Sequence, residues 1–318
     1  MLGLSVSGLR TGPATDKSDR AAAEELLRQA HDLTDIRAEG SAPFRLVARL
    51  LVYDAKGQVA EGSYAEIWKT PTSWRRETSY PGFWEARVAA GDTMYISRSQ
   101  SGPPLDIFEL PGLLHLSDSL EITAESSARN LREVGNPSAR SLELTRRGKV
   151  WAEAYLNASV PLLERIRFHK YQYEFQFEKY KEFEHLRYPT VFTRFSHGKI
   201  SLRVEVQQLV AETPDDSALA PLKDALALPW CPNPAPAKLE GITVLPAGAV
   251  PGNPRDRLVI YGIIGTNGRW HDMTVVSSTG DERAAKRFAQ GIQDSQRYTP
   301  ATCGNRRVAE ERVLVANP

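Results

Sequence analysis

The chain has 318 residues, 41% of them hydrophobic and 25% charged, a globular composition with room for two domains. Its 40 Lys and Arg against 39 Asp and Glu leave a formal net charge of +1, so no overall field draws it to nucleic acid or to an anionic membrane. No stretch reaches the roughly 20 apolar residues that cross a bilayer, and no integral membrane segment is expected.

Residues 1–18 open on a mildly apolar run, Met1 to Leu9, without a basic region before it. They read either as a disordered soluble start or as the remnant of a signal peptide that begins upstream. Asp19 to Leu33 reads as an amphipathic helix capped by Ser18 or Asp19, with Ala22, Leu26, Leu27, Ala30 and Leu33 on one face. A β-rich region follows. Phe44 to Val52, Gly62 to Trp68, Trp74 to Tyr80, Trp84 to Ala89 and Met94 to Ser97 are short strands, with turns at Asp54–Gly57, Pro81-Gly82 and Ala90–Asp92. Such spacing indicates an antiparallel sheet or barrel. The basic runs Trp74-Arg75-Arg76 and Arg306-Arg307 read as solvated strand edges.

Between Pro103 and Ser127 the pattern changes. Leu105, Ile107, Phe108, Leu110, Leu113, Leu114, Leu116, Leu120 and Ile122 crowd together, and one or two short helices packed on the sheet would absorb them. Strands resume at Arg140–Leu144, Val150–Asn157 and Leu163–Phe177. From Tyr171 to Glu178 aromatic and polar residues alternate, so one face of that strand is buried, as core or as a stacking surface for a ligand. Val191–Phe195 and Ile200–Val210 complete the region, joined by a turn at His197-Gly198. Residues 213–254 are broken by repeated prolines and read as a stiff linker or a partly docked connection.

Residues 255–318 form their own unit, in the order ββαβ. Leu258–Ile264 is a strand, Asn267-Gly268 a hairpin turn, and Trp270–Ser278 the returning strand. Asp281 caps a helix to Ser295 with Ala284, Ala285, Phe288 and Ile292 facing inward. Arg307 to Val315 is the last strand. The two cysteines, Cys231 and Cys303, have no neighbours at metal-ligand spacing. They fit one disulfide in an oxidising compartment or two unrelated thiols; a bond between them would pin the proline-rich stretch to the terminal unit and mark the chain as exported.

No catalytic constellation emerges. The six histidines, His31, His115, His169, His185, His197 and His271, form no paired metal spacing. There is no nucleophile elbow, phosphate loop or dinucleotide fingerprint. The reading is therefore a protein that is not an enzyme and uses no cofactor.

Gly265, Asn267 and Gly268 in the hairpin, Val275-Val276-Ser277-Ser278 at the strand end, the Asp281-led helix, Tyr298-Thr299-Pro300-Ala301, Gly304 and Arg307-Val308 follow in an order that resembles the C-terminal domain of TonB over residues 256–316. Trp270 departs from that pattern, and neither an N-terminal anchor nor a long Pro-Lys spacer is present in the sequence, so the resemblance implies an interaction module rather than an energy transducer. Gly62, Pro71 and Arg75, then Gly91-Asp92 before Met94-Tyr95, and finally Tyr180-Lys181-Glu182-Phe183 with Tyr188-Pro189, resemble the half-barrel of LolA/LolB-like lipoprotein carriers across residues 19–212. That resemblance implies a periplasmic protein whose concave face, covered by helices, holds acyl chains.

Together these give an α+β expectation: an N-terminal antiparallel β half-barrel with covering helices (19–212), a linker (213–254) and a small ββαβ domain (255–318). The expected function is that of a cell-envelope binding protein holding a lipid or a lipoprotein's acyl chain. Leu46, Leu50, Trp68, Trp84, Tyr95, Ile107, Leu110, Leu113 and Leu114 would line the concavity. An envelope protein would add a strand at an edge formed by Arg307, Val308, Val313 and Val315. The alternative is an adaptor that acts by protein contact alone, with a filled barrel as scaffold.

Overall fold

The computed structural model describes residues 13–54, 56–100, 102–115, 126–134, 139–169, 173–241, 258–278 and 281–316. In chain order these form α1 (Pro13–Thr34), β1 (Phe44–Tyr53), β2 (Val59–Thr70), β3 (Ser73–Tyr80), β4 (Phe83–Ala90) and β5 (Thr93–Arg98). Two short helices follow, α2 (Leu105–Phe108) and α3 (Leu110–Leu114). Then come β6 (Ser126–Val134), β7 (Ala139–Arg146), β8 (Lys149–Asn157), β9 (Leu163–Phe168), β10 (Tyr173–Phe183), β11 (Leu186–Ser196) and β12 (Lys199–Ala211). The rest comprises β13 (Leu226–Pro229), β14 (Lys238–Leu239), β15 (Leu258–Ile264), β16 (Trp270–Ser278), α4 (Glu282–Ser295), β17 (Tyr298–Thr299), β18 (Ala301–Cys303), β19 (Arg306–Val308) and β20 (Glu310–Ala316).

The α+β expectation is corrected. Strands account for 57% of the structure and helix for 15%, so this is a mostly antiparallel β protein. The reason lies in the sequence itself: the segments between turns are rich in β-branched and aromatic residues at period two. Leu116, Leu120, Ile122 and Tyr171, expected to pack on the sheet or in the aromatic stripe, lie outside the described residues.

Contacts divide the chain into two compact units, Met1–Asp35 with Gly112–Ser201, and Ile36–Pro111 with Leu202–Pro318. The cuts fall inside the stretch expected to form one half-barrel. In the first unit, β6 to β11 form a meander of antiparallel neighbours, and α1 lays Ala23, Leu26, Leu27 and Ala30 into the core. Strand residues of the same unit that include Leu142, Ala154, Leu163, Ile166 and Phe192 are buried as well. The aromatic stripe divides along its length: Phe177 is buried and packs edge-on against Phe192, while the half-buried Phe175 meets Phe168 at 5.2 Å.

In the second unit the strand order is β13-β5-β4-β3-β2-β1-β12, and a separate three-stranded sheet runs β16-β15-β20. The proline-rich stretch is docked where it is described: β13 pairs with β5, Ala235 bridges to Thr302, and β14 pairs with β17. Cys231 and Cys303 are joined in a disulfide with Cα atoms 6.4 Å apart, fixing the same stretch to the terminal sheets.

The central strand β15 is buried at all seven positions. One face, Leu258, Ile260 and Ile264, forms a core with Ala285, Phe288, Ala289 and Ile292 of α4 and with Trp270. The opposite face, Val259, Tyr261 and Ile263, is also buried. There Phe108 meets the Tyr261 ring edge-on at 6.2 Å and the Arg98 guanidinium lies 4.9 Å from its centre. A strand covered on both sides has no polar face to alternate, which is why Leu258–Ile264 is an unbroken apolar run.

Gly102 permits this approach, because a Cβ there would sit 2.8 Å from Thr274 Cγ2 and 2.9 Å from Tyr261 Cδ1. Gly102→Ala is expected to cost about 1–3 kcal/mol by overpacking, read as a lowered denaturation midpoint. Gly112→Ala, where nothing lies within 4 Å, serves as the neutral comparison.

Candidate functional site

Cross-strand partners in an antiparallel sheet share a face. Leu46 lies opposite Glu66, Glu66 opposite Arg76, Arg76 opposite Arg87, and Arg87 opposite Ile96. One row across β1 to β5 therefore carries three charged side chains at its centre, on the face expected to be an apolar concavity.

These charges are buried and paired. Arg37 donates two hydrogen bonds to the Glu66 carboxylate, Arg76 Nε donates a third at 2.9 Å, and the Tyr64 hydroxyl a fourth at 3.1 Å. Glu66 itself is fully buried. A second cluster lies beside it. Arg87 Nε is 2.5 Å from Glu85 Oε1 and Arg98 Nε 3.1 Å from Glu85 Oε2. The same two arginines converge on Glu311 of β20, at 3.0 Å from Arg87 Nη2 and 2.9 Å from Arg98 Nη2, and the Tyr261 hydroxyl also donates to Glu311.

The electrostatics follow from burial. Desolvation works to raise the Glu311 pKa, but Arg87, Arg98 and the Tyr261 hydrogen bond outweigh it and hold the carboxyl below its usual value. Burial, followed by the Glu311 charge, pushes the Tyr261 phenol up, so its proton stays in place to donate. Taking each ion out of water costs several kcal/mol. The cluster thus fixes which surface β20 packs on more than it adds net stability.

A cavity of about 260 Å³ opens beside these groups, lined by the polar Arg76, Thr78, Glu85, Arg87 and Glu311, by Tyr64, and by the apolar Ile107, Phe108 and Pro111. Of the residues expected to line a concavity, Leu46, Leu50 and Trp68 lie on the charged face and are buried, as are Ile107 and Leu110. Trp84 and Tyr95 do not join them. Trp84 stands opposite Ser79, and Tyr95 opposite Val88, which places both on the other face of the sheet. Leu113 and Leu114 are buried in the first unit, where the Tyr188 hydroxyl donates to the Leu114 carbonyl at 3.0 Å. The nine residues therefore do not form one lining.

The expected partner edge also divides. Val313 and Val315 belong to β20, opposite Tyr261 and Val259, and Val315 is 45% exposed. Arg307 and Val308 belong to β19, paired with β18, and Val308 is buried in the terminal core. Among the described residues β20 pairs only with β15.

The sequence reading missed Arg37, Glu66, Arg76, Glu85, Arg87, Arg98 and Glu311. The signal was present: Glu66 and Arg76 occupy inward positions of alternating strands, where a charge must be paired to be tolerated. Arg76 is corrected from solvated edge to interior. The other basic run stays exposed, though Arg306 binds Asp92 and the Trp230 carbonyl. Among the described residues no group of three or more His, Cys, Asp and Glu side chains is placed to hold a metal.

Glu311→Gln removes a carboxylate that Arg87 and Arg98 share, and is expected to destabilise the protein by about 3–5 kcal/mol. Because the Glu311 pKa is depressed from about 4.5, its contribution is fully present above that value and is lost as pH falls through the folded-state pKa. Denaturant titrations between neutral pH and about pH 3 should show a smaller acid loss for Glu311→Gln than for the wild type.

No family model and no curated protein matches the chain. Among solved structures it is similar to a LolA superfamily protein of Nitrosomonas europaea, at 13% identity over 62% of this chain and 97% of that one, with TM-score 0.42. It is also similar to a putative outer membrane lipoprotein-sorting protein domain of Vibrio parahaemolyticus, at 12% identity over 63% and 97%, with TM-score 0.43. A third is the MucA/MucB complex of Pseudomonas aeruginosa, at 14% identity over 84% and 97%, with TM-score 0.34. The TonB resemblance finds no counterpart in these comparisons.

Proposed function

We propose that the chain is a non-catalytic binding protein of the bacterial cell envelope that works by protein contact, its strand β20 accepting an extended segment of a partner by strand addition. The observation that carries this reading is the end position of β20 in the order β16-β15-β20, with Val315 exposed on it. An end strand offers a row of unpaired backbone donors and acceptors. The bond between Cys231 and Cys303 supports an oxidising compartment such as the periplasm, and no described helix is long and apolar enough to cross a membrane.

The acyl-carrier reading draws less support. Its cavity would need apolar walls, whereas the sheet face offered for it carries Glu66, Arg76, Glu85 and Arg87, and Glu311 of the terminal strand stands against it. A photo-crosslinking residue at Val315, in the full chain exported to a bacterial periplasm, should give a discrete partner adduct. The same residue at Val59, which is 48% exposed on β2, should not. Equal labelling at the two positions, or none at either, removes the strand-addition proposal.

A further inference from the structure

Glu85 and Glu311 face Arg87 and Arg98, two carboxylates against two guanidinium groups. Glu66 faces both Arg37 and Arg76, and Arg37 alone spans its two oxygens. Arg76 reaches that carboxylate through Nε alone.

Its geometry is that of an anchored donor. Nε is held by Glu66 at 2.9 Å, and the guanidinium carbon lies over the Trp74 ring, 3.8 Å from its centre. Stacking and one hydrogen bond fix the plane of the fork. Neither terminal nitrogen has a hydrogen-bond partner among the described residues, and the side chain, 14% exposed, lines the cavity of about 260 Å³. A fork fixed in this way matches a carboxylate or a phosphate, which accepts two parallel N–H bonds. Ile107, Phe108 and Pro111, which also line the cavity, offer an apolar surface to whatever carries the anion.

We infer that Arg76 anchors a small amphipathic anion in this cavity, its carboxylate or phosphate on the two terminal nitrogens and its short apolar body against Ile107, Phe108 and Pro111. The site differs in chemistry from an acyl-chain hollow and does not depend on strand addition at β20. Because Glu311 lines the same cavity, an anion bound there also faces the carboxylate that ties β20 to Arg87 and Arg98.

Isothermal titration of the full chain tests this with sodium octanoate, octyl phosphate, inorganic phosphate and octanol. Saturable binding of octanoate or octyl phosphate is expected, the stronger of the two identifying the head group. Octanol and inorganic phosphate, each lacking one half of the ligand, should bind at least tenfold more weakly. Arg76→Met should weaken the preferred anion at least tenfold, and Arg76→Lys should restore part of the loss. Thr78→Met fills the cavity without touching the Arg76–Glu66 pair, and should abolish binding even if Arg76→Met fails to fold. Equal binding of octanol and octanoate, or binding unchanged by Thr78→Met, would overturn the assignment, as would the absence of binding to every probe.

Discussion

The structure of the second unit depends on one constraint: charges buried on the inner face of a β-sheet must be met by opposite charges, and part of that supply comes from the far end of the chain. Glu85 of β4 pairs with Arg87 and Arg98, and Glu311 of β20 meets the same two side chains. A misplaced terminal sheet would take the Glu311 carboxylate away from two desolvated guanidinium groups, which costs more than the loss of an ordinary surface pair. The contact therefore acts through register. It selects the packing in which Tyr261 lies beneath Arg98 and against Phe108, and Gly102 provides the space for that ring.

This constraint explains how far the sequence could be read. Strand positions were legible because period-two alternation is a local property, and the terminal hairpin was legible from Asn267-Gly268. Spacing alone leaves the two cysteines either bonded or unrelated; a bond between Cys231 and Cys303 is the expectation, and the structure makes it. The charged interior was not read, although its residues were in view. Glu66 falls at an inward position between Tyr64 and Trp68, yet a single acidic residue on one strand carries no sign of the arginines that will meet it from β3 and from residue 37. The pairing of Glu311 with Arg87 spans 224 residues of sequence, beyond any local pattern.

Two misreadings have the same origin. Trp84 and Tyr95 were grouped with Leu46 and Leu50 by hydrophobicity, and only the register separates them onto opposite faces. Val308 was grouped with Val313 and Val315 as one strand, but the chain breaks between β19 and β20, and Val308 turns into the core of the terminal sheets. In contrast, the double burial of β15 could have been read directly. Seven consecutive residues without a charged side chain, Leu258 to Ile264, signal cover on both faces rather than one. That cover includes Phe108 and Arg98, which lie in the strand-rich N-terminal half of the same unit.

Function follows from what remains accessible. The inner face of β1 to β5 is committed to internal ion pairs, save for the cavity at Arg76, and β20 is left with one side to offer. Hydrogen exchange of the intact chain, followed by mass spectrometry across β15, tests the central claim most directly. If Tyr261 and its neighbours are held between α4 and the Arg87–Arg98–Glu311 cluster, their amides should fall in the slowest-exchanging class, and Glu311→Gln should move them out of it while the amides of β6 to β11 keep their rates. Exchange of β15 as fast as that of an exposed strand in the wild type, or rates indifferent to Glu311→Gln, would contradict the account.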